Sequence, residues 1–324
     1  MPSRGMDYNL EEHERVSTLT MISVIIPTQN PPKEIASLFL SLKEQTVPCE
    51  IIVIDSQSGN GLADLARLHN VNFIPIKSSE FDHGGTRTIA ARQASRDIIV
   101  YMTQDAMLTD RNAFERLIEP FHHDPQVGAT FGRQLPAVNA SVFASHLRSF
   151  NYPPESYVNG IADRERLGIK AAFISNGFAA YCKRALQKIG WFKDGLILCE
   201  DTYAGIRLLS SGYKIAYVSD ATVSHSHNYS VKEEARRYFD IGVFHKQEQG
   251  VLKDFGKPEK EGLRYVRSGM SYLMQQRRFE QIPEFIVRGA TKYFSYTMGR
   301  NYEKIPKSII RRMSMHRSWW DKIP

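Results

Sequence analysis

Apolar and polar positions follow two periods along this chain. Residues 22–27 (ISVIIP) form a near-continuous apolar run, which predicts a strand. Behind Pro31-Pro32, the spacing of Ile35, Leu38, Phe39 and Leu42 predicts a helix. A second apolar run, 50–55 (EIIVID), ends in an acid. Runs this unbroken mark strands covered on both faces, as in parallel sheets. Leu62, Leu65, Ala66 and His69 then predict a short helix, 71–76 a third strand, 86–94 a helix and 97–103 (DIIVYMT) a fourth strand that runs into Gln104-Asp105. Strand and helix alternating at this rhythm predict a doubly wound α/β half.

Beyond Asp110 the pattern loosens. Helices are expected around Phe114, Leu117 and Ile118, and over 139–152, 183–189 and 201–211, the last stopped by Gly212. Strands are expected over 127–131, 173–181 and 213–218. From Val231 the chain reads helical almost to its end, broken near Gly256-Lys257-Pro258, Pro283 and Pro306. Met21 stands directly before the first strand, so 1–20 reads as an N-terminal extension or an alternative start. The expected body is 21–255, in two halves, 21–110 and 111–255. A helical C-terminal region, 256–324, follows.

The chain has 324 residues, 42% of them hydrophobic and 24% charged, which suits a soluble globular protein and excludes disorder. No apolar run approaches the roughly 20 residues of a membrane-spanning helix. The charged first 20 residues are not expected to act as a secretory signal. Three scattered cysteines, Cys49, Cys182 and Cys199, argue against a disulfide framework and suit a reducing cytoplasm. Charge changes the picture more. Residues 262–324 hold 13 Lys/Arg and 4 Asp/Glu, a balance of +9, so the rest of the +7 chain carries 7 − 9 = −2. A basic tail on a near-neutral body implies an anionic partner. The tail lacks any known nucleic-acid module, which favours an anionic membrane surface.

The candidate chemistry gathers at strand ends, where open α/β sheets bind ligands. Those ends read Pro27-Thr28-Gln29-Asn30, Asp55-Ser56 and Gln104-Asp105, and no Gly-x-Gly-x-x-Gly follows the first strand. This suits a nucleotide site unlike the dinucleotide type; the plain alternative is turn-capping acids. In Phe81–Arg87 (FDHGGTR), the glycines permit close backbone approach, and helix-start N–H groups with Arg87 suit a diphosphate. The alternative there is a turn capped by Asp82. Glu200-Asp201 opens a helix, where acids serve either the dipole or catalysis. His225 and His227 share one face, as a metal pair or as packing.

Taken together, SVIIPTQN (23–30), IIVIDS (51–56), FDHGGTR, TQDA (103–106), Glu200-Asp201 and HSHNY (225–229) resemble the inverting family 2 glycosyltransferases of GT-A fold. FDHGGTR and TQDA are similar in particular to bacterial rhamnosyltransferases that use dTDP-L-rhamnose. The resemblance implies an α/β fold, with a mostly parallel central sheet flanked by helices and a helical C-terminal extension. It implies that Asp201 is the catalytic base, with Glu200 beside it. Pro27, Thr28, Gln29, Asn30, Asp55, His83, Gly84, Gly85, Arg87 and Gln104 would hold the donor, Asp55 through its base. Asp105 matches the last acid of the family's Asp-x-Asp motif, although Thr103 stands where the first acid belongs. With His225 it would bind Mg²⁺ or Mn²⁺, and Asn176, Trp191 and Arg207 would face the acceptor. The implied activity moves L-rhamnose onto a growing surface glycan linked to polyprenyl diphosphate, at the cytoplasmic face of the membrane. Basic groups such as Arg288, Lys292 and Arg311-Arg312, with Tyr293, Phe294, Tyr296, Trp319 and Trp320, would touch that surface; the alternative is a helical cap packed on the catalytic body. The alternatives are transfer from another nucleotide sugar such as a UDP-hexose, and a non-catalytic nucleotide-sugar-binding protein of the same fold.

Overall fold

A computed structural model describes residues 21–59, 61–256 and 259–322; the expected extension 1–20 lies outside the described residues. The first half follows the apolar runs as β1 (Ile22–Thr28), α1 (Ile35–Lys43), β2 (Cys49–Ser56), α2 (Leu62–Leu68), β3 (Asn72–Ile76), α3 (His83–Gln93) and β4 (Ile98–Met102). These strands pair in parallel in the order β3-β2-β1-β4. Alternate residues serve opposite faces. Val24 and Ile26 of β1 join Leu38, Phe39 and Leu42 of α1 in one apolar cluster, while Ile25 joins Ala90 and Ala91 of α3 in the other. Helices on both faces explain why the strands read as continuous apolar runs.

The second half comprises β5 (Met107–Leu108), α4 (Ala113–His123), β6 (Val127–Leu135), α5 (Val142–Asn151), β7 (Tyr157–Asn159), α6 (Arg164–Leu167), β8 (Phe178–Cys182), α7 (Lys183–Lys188), α8 (Glu200–Ser210) and β9 (Lys214–Ser224). It extends the same sheet as β4-β8-β6-β9-β5, with β7 also paired to β9. Here β8 runs antiparallel to β4 and β6, and β5 and β7 run antiparallel to β9, while β6 and β9 are parallel. The parallel character therefore belongs to the first half, and the sheet as a whole is mixed. β8 starts at Phe178 and not at 173, because Phe173 and Ile174 enter the core from a loop and Asn176-Gly177 turn into the strand. That turn carries part of the site.

The C-terminal region holds α9 (Val231–Gln247), α10 (Gln249–Leu252), α11 (Glu259–Gln275), α12 (Ile282–Arg300) and α13 (Lys307–Met313). α9 opens with a capping box: the Ser230 hydroxyl accepts from the Glu233 N–H, and the Glu233 carboxylate accepts from the Ser230 N–H. α12 crosses α9 with the backbones in contact. A Cβ at Gly242 would stand 2.2 Å from the Tyr296 carbonyl oxygen, and one at Gly299 2.0 Å from that of Phe239. Residues 314–322 then fold back across the body as a strap. Met315 and His316 N–H donate to Asp240 Oδ2 at 2.9 and 3.2 Å. Trp319 Nε1 donates to the Gly195 carbonyl at 3.0 Å, and Lys322 Nζ to that of Phe81 at 2.7 Å.

This packing corrects the expectation that the tail's basic and aromatic residues all face a partner. Arg288 and Lys292 are buried and pair with Glu234 at 3.1 and 3.2 Å. Trp319 is buried, Trp320 lies against Tyr302 and Phe239, and the Tyr296 hydroxyl meets His245 Nδ1. Ile286, Val287, Tyr293, Phe294 and Met298 of α12 remain exposed. Among the described residues, no helix is long and apolar enough to cross a membrane.

Candidate active site

The carboxyl ends of β1, β2 and β4 form one hydrogen-bonded rim. The Thr28 hydroxyl donates to Asp55 Oδ1 at 2.7 Å, and Ser58 donates to the same carboxylate through its hydroxyl (2.5 Å) and its N–H (2.7 Å). Asp55 is thus buried and held by three donors. Ser58 Oγ also accepts from Asn30 N–H at 2.8 Å. Gln29 and Gln104 exchange two bonds, N–H to Oε1 (3.0 Å) and Nε2 to carbonyl (3.2 Å). Asn30 and Gln57 at these ends take positive φ, 45° and 61°, a costly backbone state for non-glycine residues that clusters at functional sites. Pro27, Thr28, Gln29, Asn30, Asp55 and Gln104 therefore share one edge of the sheet, which leads to Asp105.

Asp105 meets two histidines from the end of β9. His225 Nε2 lies 3.4 Å from Asp105 Oδ1, and His227 Nδ1 lies 3.8 Å from Oδ2. One ligand atom from each of the three residues falls within a 4.8 Å group. Gln134 of β6 decides the chemistry of His225. Its Oε1 lies 3.0 Å from His225 Nδ1, which places a proton on Nδ1 and turns Nε2 toward Asp105. Nε2 is buried and has no hydrogen-bond partner. In the neutral ring Nε2 can share a cation with the Asp105 carboxylate, and among the hard divalent ions that suit carboxylate oxygen the two imidazoles favour Mn²⁺ over Mg²⁺. The residues present fit a divalent ion. Burial alone would raise the Asp105 carboxyl, but the His225 side chain beside it, with His227, holds it below the usual carboxylate range. Burial, then His225, lowers His227 to about 4.

The second cluster forms where α3, the turn before β8 and the start of α8 converge. Arg87 of α3 is buried, and its guanidinium lies 3.2 Å from Glu200 Oε1 while donating to the His83 carbonyl at 2.8 Å. Asn176 Nδ2 donates to Glu200 Oε1 at 3.1 Å, oriented by the Tyr181 hydroxyl, which donates to Asn176 Oδ1 at 2.8 Å. Asp201 is half-buried; it accepts from Thr202 N–H at 2.7 Å and Asn176 N–H at 3.3 Å. The two carboxyls diverge. For Glu200 the burial penalty is outweighed by Arg87, then His83 and Asn176, and its pKa is lowered. For Asp201, burial and the charge of Glu200 both push the pKa up. Cys199, just before the pair, takes φ +63°, which turns the chain into the helix.

Several expectations are corrected. The N–H groups of Gly84 and Gly85 are not free for a diphosphate: both donate to Asp82 Oδ1, at 3.0 and 2.7 Å, in a helix cap. The close approach that Gly84 permits is to this chain's own backbone, since a Cβ there would stand 1.9 Å from the Lys193 carbonyl oxygen. Arg87 is spent on Glu200. His83 packs against Phe81 and His316 of the strap, 3.4 Å from His316 Nδ1. Asn176 holds the carboxylates. Trp191 lies at the other end of α3, 6.0 Å beneath Arg92, and Arg207 is exposed in the last turn of α8; the structure does not bring either to Asp201. Gln134 was missed, because no local pattern marks a polar residue inside a strand. It ties the two clusters together: its Nε2 donates to Ser175 Oγ at 2.9 Å, next to Asn176, while its Oε1 orients His225. His227 was visible in the sequence as the partner of His225.

Comparison with known proteins identifies the family and the fold. Glycosyl transferase family 2 matches residues 23–190. The O-antigen chain rhamnosyltransferase RfbN of Salmonella typhimurium is 40% identical over 305 residues, 93% of this chain and 96% of that protein. WbaN of Salmonella anatum, also described as an O-antigen chain rhamnosyltransferase, is 38% identical over 304 residues, again 93% and 96%. Among solved structures, the mannosyltransferase PcManGT of Pyrobaculum calidifontis, in complex with GDP-Man and Mn²⁺, superposes with TM-score 0.61 at 15% identity and covers 87% of each chain, a likeness of fold. The chain belongs to glycosyl transferase family 2, with a GT-A fold.

The buried Arg87–Glu200 pair makes a stability prediction. Arg87→Met leaves Glu200 as an uncompensated buried charge, at a cost of about 3–5 kcal/mol. The double variant Arg87→Met/Glu200→Gln should be less destabilised than Arg87→Met alone. Urea unfolding of both proteins checks this, and a single variant as stable as the parent would contradict the pairing.

Proposed function

We propose that this family 2 glycosyltransferase moves L-rhamnose from dTDP-L-rhamnose, with inversion, onto a growing bacterial surface glycan. One observation carries the reaction type. Of two adjacent carboxylates, Glu200 is held as an anion by Arg87 and Asn176, and Asp201 is pushed toward taking a proton. That is the arrangement a general base needs: a fixed orientation and a proton affinity raised toward working pH. The donor and the glycan acceptor rest on the likeness to RfbN and WbaN across almost the whole chain.

The reaction is a single displacement. Asp201, oriented by the N–H groups of Thr202 and Asn176, accepts the proton of the acceptor hydroxyl as its oxygen attacks the anomeric carbon. The bond from that carbon to the diphosphate breaks on the opposite face, and its electron pair leaves with the nucleotide. We assign the nucleotide to the rim of Thr28, Gln29, Asn30, Asp55 and Gln104. Asp105, His225 and His227 would hold Mg²⁺ or Mn²⁺, which supplies positive charge to the diphosphate. Gln134 keeps His225 in the binding tautomer.

We further assign the exposed apolar residues of α12, flanked by exposed Arg277, Arg278, Lys304, Lys307 and Arg312, to the membrane surface that presents a polyprenyl-diphosphate-linked acceptor on its cytoplasmic side. Basic side chains near an anionic surface contribute about 1 kcal/mol each, and aromatic rings favour the interface.

Four outcomes test this reading. Asp201→Asn should bind donor as the parent does but lose about 10²-fold or more in rate. In the parent, kcat/KM should fall on the acid side at a pH above the usual carboxylate pKa of about 4, because Asp201 acts only when deprotonated and its pKa is raised. Near-normal turnover by the variant would remove Asp201 from the role. In a panel of nucleotide sugars, dTDP release from dTDP-L-rhamnose should be fastest; faster turnover of a UDP-hexose would overturn the donor. Finally, the chain should sediment with anionic vesicles at low salt and be released at high salt, with Tyr293→Ser/Phe294→Ser weakening the association. Equal recovery with neutral and anionic lipid would refute the surface.

A further inference from the structure

Arg237 is a cation left without an anion. It stands on α9, two turns beyond the Ser230 cap, and is partly buried. Among the described residues it has no hydrogen bond and no carboxylate within 4.0 Å. Its charge nevertheless reaches the centre of the site. Contacts place its part of α9 beside the site: Asp240, one turn on, accepts His316 N–H, the His316 ring lies 3.4 Å from His83 Nε2, and the His83 carbonyl accepts from Arg87, so the Arg237 charge acts on Asp201, Asp240, His83 and His227. A guanidinium withdrawn from water without an anion is costly, so its persistence calls for an account.

The carboxylates around it make other bonds, and none lies within 4.0 Å of Arg237, although Oδ1 of Asp240 has no hydrogen bond. Glu233, one turn back, closes the Ser230 cap. Glu234 pairs with Arg288 and Lys292. Asp240, one turn on, accepts the N–H groups of Met315 and His316 and so holds the strap. Glu200 belongs to Arg87, and Asp201 is oriented by two backbone N–H groups. The other cations of the site have partners, although the Nε of each is left without a hydrogen bond: Arg87 pairs with Glu200, and Arg148 meets Gln134 Oε1 and the face of Tyr152. Among the described residues Arg237 thus makes no ion pair, and its charge acts on the proposed general base.

We propose that Arg237 binds the diphosphate of the sugar donor and takes up the negative charge that develops on it as it leaves. The inference rests on the glycosyl-transfer reading above and adds a residue to it. When the bond from the anomeric carbon to the phosphate oxygen breaks, its electron pair stays on that oxygen, which gains one negative charge. Asp105 is itself an anion, Arg87 is neutralised, and the glycine N–H groups are taken by Asp82, so Arg237 supplies what those groups do not. A planar guanidinium presents paired donors suited to phosphate oxygens. A lipid-linked acceptor also carries a diphosphate, and the test separates the two sources.

Full-length parent, Arg237→Met and Arg237→Lys are titrated with dTDP and with thymidine in Mg²⁺ without acceptor, and then assayed for transfer. Arg237→Met should weaken dTDP binding at least 10-fold, leave thymidine binding unchanged and lower kcat by about 10²-fold or more, as loss of a charge-stabilising donor does. Arg237→Lys should recover part of both. The unfolding midpoint of Arg237→Met should not fall, whereas a packing role would lower it. Unchanged dTDP binding with unchanged kcat overturns the proposal, as does a change confined to acceptor KM, which would assign Arg237 to the lipid diphosphate. If the parent binds UDP and not dTDP, the rhamnose reading fails, and the same comparison with UDP and uridine decides the role of Arg237.

Discussion

The buried contact between Arg87 and Glu200 sets the charge state of the whole site. Two adjacent carboxylates in one half-dry place repel each other, and only one can be kept ionised cheaply. Arg87 settles which. Its placement needs a helix that starts at the right point, and that start is made by Asp82, which caps Gly84 and Gly85 and accepts from Gly195 N–H as well. It also needs Tyr101 of β4, whose hydroxyl donates to the Arg87 carbonyl at 3.1 Å. The glycine-rich segment therefore serves catalysis at one remove: it fixes a helix, the helix fixes a guanidinium, and the guanidinium fixes Glu200.

The parallel half of the fold was legible in the sequence because burial on both faces writes an unmistakable run. In β1, β2 and β4 every turn of the pleat meets a helix, so no polar alternation interrupts it. The strands of the second half were harder to read, for physical reasons. β5 and β7 are two and three residues long, too short for a period. β6 runs on through Arg133 and Gln134, whose polarity serves the site and hides the strand. In the site, Asp55, Asp105, Glu200-Asp201 and the histidine pair were legible because acids and imidazoles at element ends are unusual. The roles of Gly84, Gly85 and Arg87 were not, since the same residues cradle a ligand or cap a helix according to what packs above them. Here Lys193 and Glu200 occupy that space.

Charge counting misleads in the tail for a related reason. The +9 of residues 262–324 reads as a surface offered to a partner, yet part of it balances acids of the body. Glu234 of α9 draws in Arg288 and Lys292 of α12, next to the glycine crossing of Gly242 and Gly299 that lets the helices touch. The strap reaches further, to the start of α3, through Lys322 on the Phe81 carbonyl and His316 against His83. A region without a motif of its own thus helps to hold the segment that positions Arg87.

A transfer with inversion needs positive charge behind the anomeric carbon and a base in front of it, and the two must keep their distance while acting together. If they drifted, the base would meet the hydroxyl out of line with the leaving group. Here one buried amide spans the two. Gln134 turns its oxygen to His225 and its nitrogen to Ser175, whose neighbour Asn176 holds both carboxylates. A glutamine does this where a charged residue could not, because it offers an acceptor to one cluster and a donor to the other without adding charge to either. The Asp105–His225 cluster and the Glu200–Asp201 pair are then parts of one frame, built on β6 and the turn into β8, two neighbouring strands of the sheet. That explains why the site straddles the place where the sheet changes from parallel to antiparallel: reversing β8 brings the Asn176 turn to the same edge as the ends of β4 and β6, which an all-parallel order would not do.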